Sequence, residues 1–153
     1  HRRGGTSARR LVEIHGTNAA IECMRCHARS EPDGHMKRFS ETRQPPVCGC
    51  GGYLKPATIS FGQNVAPDDL ERAAAAVRET DLVVALGSTL SVYPAAGFPL
   101  AAAQRGVAYA VINRGATDHD GHAAVTLRLD GDVVELFPPA VAKALEKGGP
   151  VPR

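Results

Sequence analysis

Five apolar residues in a row, Leu82-Val83-Val84-Ala85-Leu86, dictate much of what this chain can become. The run is too short for a buried helix and lacks polar alternation, so it reads as a strand covered on both faces, the usual setting of a parallel sheet. Helical patterns stand on either side. Upstream, Pro67 suits a first helical position and Asp68 and Asp69 complement the positive helix start. Leu70, Ala73, Ala74 and Val77 then share one face. Downstream, Pro94 to Arg105 reads as an alanine-rich helix closed by Gly106.

The alternation continues. Val107 to Ile112 reads as a strand ending at Asn113, and Val125 to Leu129 as a last strand. Asp132 then caps a terminal helix over Val133 to Lys147, with a bend expected at Pro138-Pro139. Toward the start, Leu11 to Ile14 reads as a buried strand ending at His15-Gly16, and Ala57 to Phe61 as another, stopped by Gly62. Strands alternating with helices define an α/β class with a parallel sheet. Cys23 to Gly52 interrupts it without helical or strand period and reads as an inserted module. The tail from Gly148 to Arg153 is expected to fray.

Composition narrows the function. The 153 residues suit one compact domain, and 43% apolar content is ordinary for a globular chain. No apolar run approaches the ~18 residues of a membrane span. A formal charge of +2 falls short of the basic footprint of a dedicated nucleic-acid binder. Arg2, Arg3, Arg9 and Arg10 read as a solvated basic flank. The chain opens on His1, which suits a processed chain or a piece of a longer one.

The cysteines carry the strongest chemistry. Cys23-x-x-Cys26 is separated by 21 residues from Cys48-x-Cys50, which runs into Gly51-Gly52. Two thiolate pairs brought together make a closed, structural four-sulfur zinc site, and the spacing is near a zinc ribbon with the second pair one residue short. Paired rather than scattered cysteines point to a reducing cytoplasm. Two disulfides are the alternative. Cys23-Met24-Arg25-Cys26-His27 also matches the c-type haem signature, a coincidence because haem would leave Cys48 and Cys50 without purpose.

In open α/β sheets, ligands sit beyond the carboxyl ends of the strands. Here those ends carry His15-Gly16, Gly62-Gln63, Gly87-Ser88-Thr89 and Asn113-Arg114. Glycines admit a ligand close to the backbone, N–H groups and hydroxyls suit a pyrophosphate, and asparagine suits ribose hydroxyls. The alternative is that these are turn residues only. His15, beside a glycine at the ligand edge, is a candidate general base, with a structural histidine as the other reading. His1, His27, His35, His119 and His122 sit in polar, loop-like stretches and are expected to be solvated.

Leu11-Val12-Glu13-Ile14-His15-Gly16, the cysteine pairs, Gly51-Gly52-Tyr53-Leu54-Lys55-Pro56 and Ile59-Ser60-Phe61-Gly62 come in the order seen in sirtuins. Gly87-Ser88-Thr89-Leu90-Ser91-Val92-Tyr93-Pro94, Val111-Ile112-Asn113 and Gly131-Asp132 continue the series. Over nearly its whole length the chain resembles these NAD-dependent protein-lysine deacylases. The resemblance implies a partial Rossmann-like NAD-binding domain over 1–22 and 51–153 and a small zinc-ribbon module over 23–50. It implies NAD as cosubstrate, one structural Zn²⁺ on Cys23, Cys26, Cys48 and Cys50, and acylated lysine proteins as partners.

By the same resemblance, His15 is the general base on a hydroxyl of the nicotinamide ribose. Gly87, Ser88 and Thr89 face the NAD phosphates and ribose. Asn113 and Arg114 lie along the adenosine ribose, with Val133 near adenine. Phe61, Gly62 and Gln63, with Val92 and Tyr93, are the edges between which a peptide adds as a strand. Transfer of ADP-ribose to protein, or ADP-ribose binding without chemistry, are the competing activities.

Three departures stand out. Gly87-Ser88-Thr89 replaces the family's Gly-Thr-Ser, keeping both hydroxyls. The second knuckle is Cys-x-Cys rather than Cys-x-x-Cys. The family's glycine-rich first βα turn and Gln-Asn-x-Asp segment do not occur in these 153 residues. Because they would supply the nicotinamide pocket and much of the pyrophosphate cradle, the chain alone is expected to bind NAD weakly and turn over little.

Overall fold

The computed structural model describes residues 1–148. The chain divides into a unit His1–Arg72 and a second unit that begins at Ala73. In the first, β1 (Gly16–Cys23) lies between β2 (Arg29–Ser30) and β3 (Leu54–Thr58), with helix α1 (Pro32–Thr42) packed on β1. Both pairings are antiparallel. The period-2 pattern is clean at the end of β1. Ile21 and Cys23 point inward and are buried, while Glu22 points out to Arg29 and His27. A bulge between Thr17 and Ile21 shifts the register against β3. Pro56 sits in β3 without breaking the sheet because β3 is an edge strand.

Several expectations change here. Leu11 to Ile14 is not a strand. Leu11 has extended dihedrals, but among the described residues nothing forms a ladder with this segment, and a strand exists only by its ladder. The strand expected over Ala57 to Phe61 runs instead over Leu54–Thr58, because its antiparallel partner β1 begins at Gly16 opposite Thr58 and ends at Cys23 opposite Leu54. These strands form a separate antiparallel sheet, so they do not extend the parallel one. The module contains a helix that was not expected. Pro32 begins α1 and Asp33 lies in its first turn, signals that Gly34 obscured. Arg43 closes it in the left-handed region at φ 57°, donating its N–H to the Phe39 carbonyl.

The helix α2 (Pro67–Glu79) matches its sequence signals. In the second unit, β4 (Leu82–Leu86), β5 (Ala108–Asn113) and β6 (Leu127–Asp130) form a parallel sheet in the order β4-β5-β6. The last strand starts two residues later than expected. Helix α3 (Gly97–Ala103) packs on β4 and β5, and α4 (Val133–Gly148) on β5. α3 is shorter than expected because Val92 to Gly97 coils in tight turns: Ala96 N–H reaches the Val92 carbonyl at 2.9 Å and Gly97 N–H the Pro94 carbonyl at 3.0 Å. Asp132 caps α4, its Oδ1 accepting from Val134 N–H at 2.7 Å, and both prolines lie inside the helix. Beyond Gly148, the tail expected to fray lies outside the described residues.

The core of this unit is Leu90, Ala96, Tyr109 and Val111, with Val83, Ala85 and Leu100 packed around it. No helix among the described residues is long and apolar enough to cross a membrane.

Candidate functional site

The four cysteines converge. Their Sγ atoms all lie within 4.8 Å of one another, in a unit where β1 delivers Cys23 and a tight hairpin, bridged at Val47 and Tyr53, delivers Cys48 and Cys50. Cys23 and Cys50 are 3.5 Å apart and Cys26 and Cys48 3.8 Å apart, far beyond a disulfide bond of ~2.05 Å. A tetrahedral zinc with bonds of ~2.3 Å requires sulfurs about 3.8 Å apart. The cluster has that size, so the thiols are free and spaced to hold a metal ion.

The backbone is arranged for negative sulfur. The N–H groups of Cys26 and Arg25 point at Cys23 Sγ, at 3.5 and 3.4 Å, and bring this thiol down to about 6. Cys26 behaves oppositely: the Ala28 N–H lowers it, but the thiols of Cys50 and Cys23 push it up to about 11. Arg25 also donates to the Cys50 carbonyl at 2.9 Å, tying the two knuckles together. Gly52 has a role that the cysteine spacing alone does not reveal. A Cβ there would lie 2.7 Å from both Cys23 Sγ and Arg25 Cβ, so only glycine lets the second knuckle close on the first.

His15 is held by its backbone and free at its ring. Its carbonyl accepts from Ile59 N–H at 2.9 Å, and Gly16 N–H donates to the Glu13 carbonyl at 2.7 Å. Gly16, at φ +74°, passes so near β3 that a Cβ would sit 2.2 Å from the Ala57 carbonyl oxygen. The His15 side chain is exposed and borders a cavity of 410 Å³ shared with Arg2, Arg3, Val12 and Ile14. Arg2 is ion-paired with Glu13. In the same unit Phe61, Gly62 and Gln63 are exposed in a turn, Phe61 at 95%, and Gln63 Oε1 accepts from Ser60 N–H.

In the second unit the other expected residues meet at the carboxyl edge of the parallel sheet. Gly87 leaves β4 at φ +59° and donates to the Ile112 carbonyl at 2.9 Å, beside the end of β5. Ser88 and Thr89 are exposed, and among the described residues their N–H groups make no hydrogen bond, which leaves an open amide pair suited to an anion. Val133 opens α4 3.6 Å from where a Gly87 Cβ would stand. Asn113 is buried and donates to the Arg114 and Gly115 carbonyls, both at 3.1 Å, while Arg114 pairs with Asp132 at 2.5 Å. Val92 and Tyr93 are exposed on the turns before α3.

Sequence reasoning passed over what braces this edge. Arg128 of β6 donates to the Asn113 carbonyl at 3.1 Å, to the Gly115 carbonyl at 2.6 Å and to Asp120 at 2.7 Å. Asp120 also accepts from the Thr117 amide and hydroxyl, and Arg128 beside it holds its carboxyl well below the usual carboxylate range. His119, expected to be solvated, is 2% exposed: its Nδ1 lies 2.8 Å from the Tyr109 hydroxyl. No periodicity marks these residues, since all but Tyr109 and Arg128 lie in a loop.

A parallel sheet with an open glycine loop at its carboxyl edge, together with a four-thiol module, defines a Rossmann-like α/β protein carrying a metal-binding attachment. The Sir2 family model matches residues 1–94, and the chain belongs to the Sir2 family. NAD-dependent protein deacetylase 1 of Bradyrhizobium diazoefficiens is 36% identical over 130 residues, which cover 85% of this chain and 51% of the relative. An NAD-dependent protein deacetylase of Thermotoga maritima is 31% identical over 149 residues, 97% of this chain and 57% of the relative. The chain thus spans about half the length of the curated relatives it matches. Among solved structures, a Sir2–p53 peptide–NAD+ complex superposes with a TM-score of 0.80 at 31% identity, over 97% of this chain and 59% of the other.

Proposed function

We propose that this chain forms the catalytic-histidine and zinc-binding half of an NAD-dependent protein-lysine deacylase. The observation that carries the reading is its likeness, at 31% identity over 97% of its length, to a Sir2 protein in complex with NAD+ and a peptide. In this reading residues 23–50 are the zinc module, and 1–22 with 51–153 belong to the NAD-binding domain. Cys23, Cys26, Cys48 and Cys50 would hold one structural Zn²⁺, which closes the module and takes no part in chemistry because all four positions are filled by sulfur. The site of action is the cytoplasm, where thiols stay reduced.

NAD supplies an activated glycosidic bond, whose cleavage releases nicotinamide and lets the acyl group pass to ADP-ribose. The chain's residues do the rest. The amides of Ser88 and Thr89 and their hydroxyls bind the pyrophosphate and ribose, Asn113 and Arg114 orient the adenosine ribose, and Val133 packs on adenine. Phe61, Gly62, Gln63, Val92 and Tyr93 bind the acyl-lysine peptide. His15, exposed and fixed at its backbone by Ile59 and Gly16, takes the proton of a ribose hydroxyl as general base. It works only when neutral.

The test is a chimera that joins residues 1–153 behind the upstream half of the Thermotoga maritima relative. NAD-dependent deacetylation of an acetyl-lysine peptide, lost in His15→Ala with zinc content and fold retained, is the expected result. A folded, zinc-loaded but inactive chimera would favour a half-domain that binds ADP-ribose without chemistry. Label from NAD appearing on protein would identify an ADP-ribosyltransferase.

A further inference from the structure

The loop from Thr117 to His122 does more than connect β5 to β6. Asp118 N–H donates to the Thr89 carbonyl at 2.9 Å, so this loop grips the end of the Gly87–Thr89 turn. The next residue, His119, is buried against Tyr109 of β5, ring edge to ring face, with centroids 5.9 Å apart and planes at 75°. Its Nδ1 and the Tyr109 hydroxyl share a hydrogen bond of 2.8 Å, while its Nε2 is buried without a partner among the described residues. On the other side of the turn, Leu90 plugs into the same core, 6% exposed and in the left-handed region at φ 56°. A leucine holds that conformation only where packing compels it. The turn is thus strained at one end and clamped at the other, and both contacts converge on Tyr109.

We propose that His119 is a positioning residue: seated on Tyr109, it locks Asp118 onto the Thr89 carbonyl and so sets the turn that presents Ser88 and Thr89. The lock closes only while the ring is neutral. A neutral imidazole with its proton on Nδ1 donates to the Tyr109 oxygen and leaves Nε2 without a hydrogen. A protonated one makes both nitrogens donors, and Nε2 then carries a buried N–H with no acceptor. Burial accordingly holds His119 below the ordinary histidine range; His122 adds to this and Asp118 opposes it. The titratable groups around it are Tyr109 on β5 and, on its own loop, Asp118 and His122, with Asp120 committed to Arg128 of β6. β4 and α3, which complete the core here, contain no titratable residue. Protonation therefore expels the ring, and the Asp118 grip goes with it.

The assignment of a role to the lock rests on the nucleotide reading of the Gly87–Thr89 turn, and two readouts separate them. Amide signals of Asp118 and of Ser88 to Leu90 are followed by ¹⁵N NMR on the whole chain, from about pH 8 down to about pH 4, a window that extends well below the ordinary histidine value of ~6.5. They should shift together with one midpoint, and in His119→Phe, which fills the same space without a titrating nitrogen, that transition should vanish. ADP-ribose affinity of the wild-type chain should fall in step, by up to about tenfold per pH unit, the steepest slope one proton gives. Signals that stay flat in wild type, or that still shift in His119→Phe, overturn the lock. Signals that shift while ADP-ribose binds neither this chain nor the chimera at any pH keep the lock and remove the nucleotide reading. Tyr109→Phe is the second variant: without the hydroxyl the neutral form loses its partner, so the midpoint must move to higher pH, and an unmoved midpoint also overturns the proposal.

Discussion

Replacing Gly52 by alanine should cripple metal binding, while the same change three residues earlier should not. The new methyl at position 52 would lie 2.7 Å from Cys23 Sγ and 2.7 Å from Arg25 Cβ. Non-bonded heavy atoms rest near 3.5–4.0 Å, so the methyl intrudes by about 1 Å. Cys23 is fully buried and has no space to yield, and Arg25 meets the methyl through Cβ and backbone rather than through a mobile tip. Metal–ligand distances tolerate only about 0.2 Å, so the cluster must open or lose a sulfur. Overpacking of this kind costs about 1–3 kcal/mol, which is roughly a 5- to 150-fold loss of zinc affinity. Gly49→Ala is the internal control, because nothing lies within 4 Å of a Cβ there. Competition for zinc against a chromophoric chelator measures both variants. If Gly52→Ala binds zinc as tightly as Gly49→Ala, the close approach of the two knuckles is not what holds the cluster.

Stripping the metal with a chelator should unfold the first unit alone, whose buried apolar residues are only Ile21, Cys23 and Ala57. Hydrogen exchange should show protection lost at Ile21 to Cys23 and kept in β4, β5 and β6. Leu90→Ala should destabilise the second unit by about 2–5 kcal/mol, the usual cost of emptying a buried leucine site, read from denaturant midpoints. Asp120 has its folded pKa depressed by Arg128, so its contribution is present above the ordinary carboxylate value of ~3.9 and is lost as acid drives the pH below it. Exchange at the Thr117 amide, which that carboxylate accepts, should therefore stay slow through the pH range where exposed carboxylates protonate and rise only in stronger acid. Asp120→Asn should abolish that plateau.

What could be read from the sequence was what local rules control. The run Leu82 to Leu86 fell within its expected bounds because five apolar residues between two helices admit one arrangement. α2 and the start of α4 followed their proline and aspartate signals. The cysteine quartet was legible because thiol spacing is a chemical constraint independent of fold. Illegible were the features that depend on a partner strand. Leu11 to Ile14 has the composition of a buried strand, yet among the described residues it has no ladder, whereas Gly16 to Cys23, with asparagine and two alanines, is a strand because β3 and β2 flank it. Pairing, not propensity, decided both.

The site divides along the same line, and the division explains where function hides. Of the candidate site residues, Gly87, Ser88 and Asn113 lie at or just beyond the carboxyl ends of parallel strands and can be picked out by position, whereas His15 precedes β1 instead of closing a strand and is picked out by its motif. Residues that hold those in place touch only other residues, and nothing in their spacing advertises it. Arg128 looks like a surface charge at the end of the chain's last strand, yet its guanidinium reaches the carbonyls on both sides of Arg114. His119 looks like one more polar loop residue, yet it is among the most buried side chains of its unit. Both contacts cross between segments that the sequence separates by ten or more residues, so they exist only after the parallel sheet has formed. A ligand-facing residue can be replaced by chemistry of its own kind, and Ser88-Thr89 keeps both hydroxyls of the Thr-Ser that the sirtuin resemblance leads one to expect. A supporting residue answers to its neighbours' shape, and for that reason the Tyr109–His119 pair should tolerate phenylalanine in its geometry while losing its response to acid.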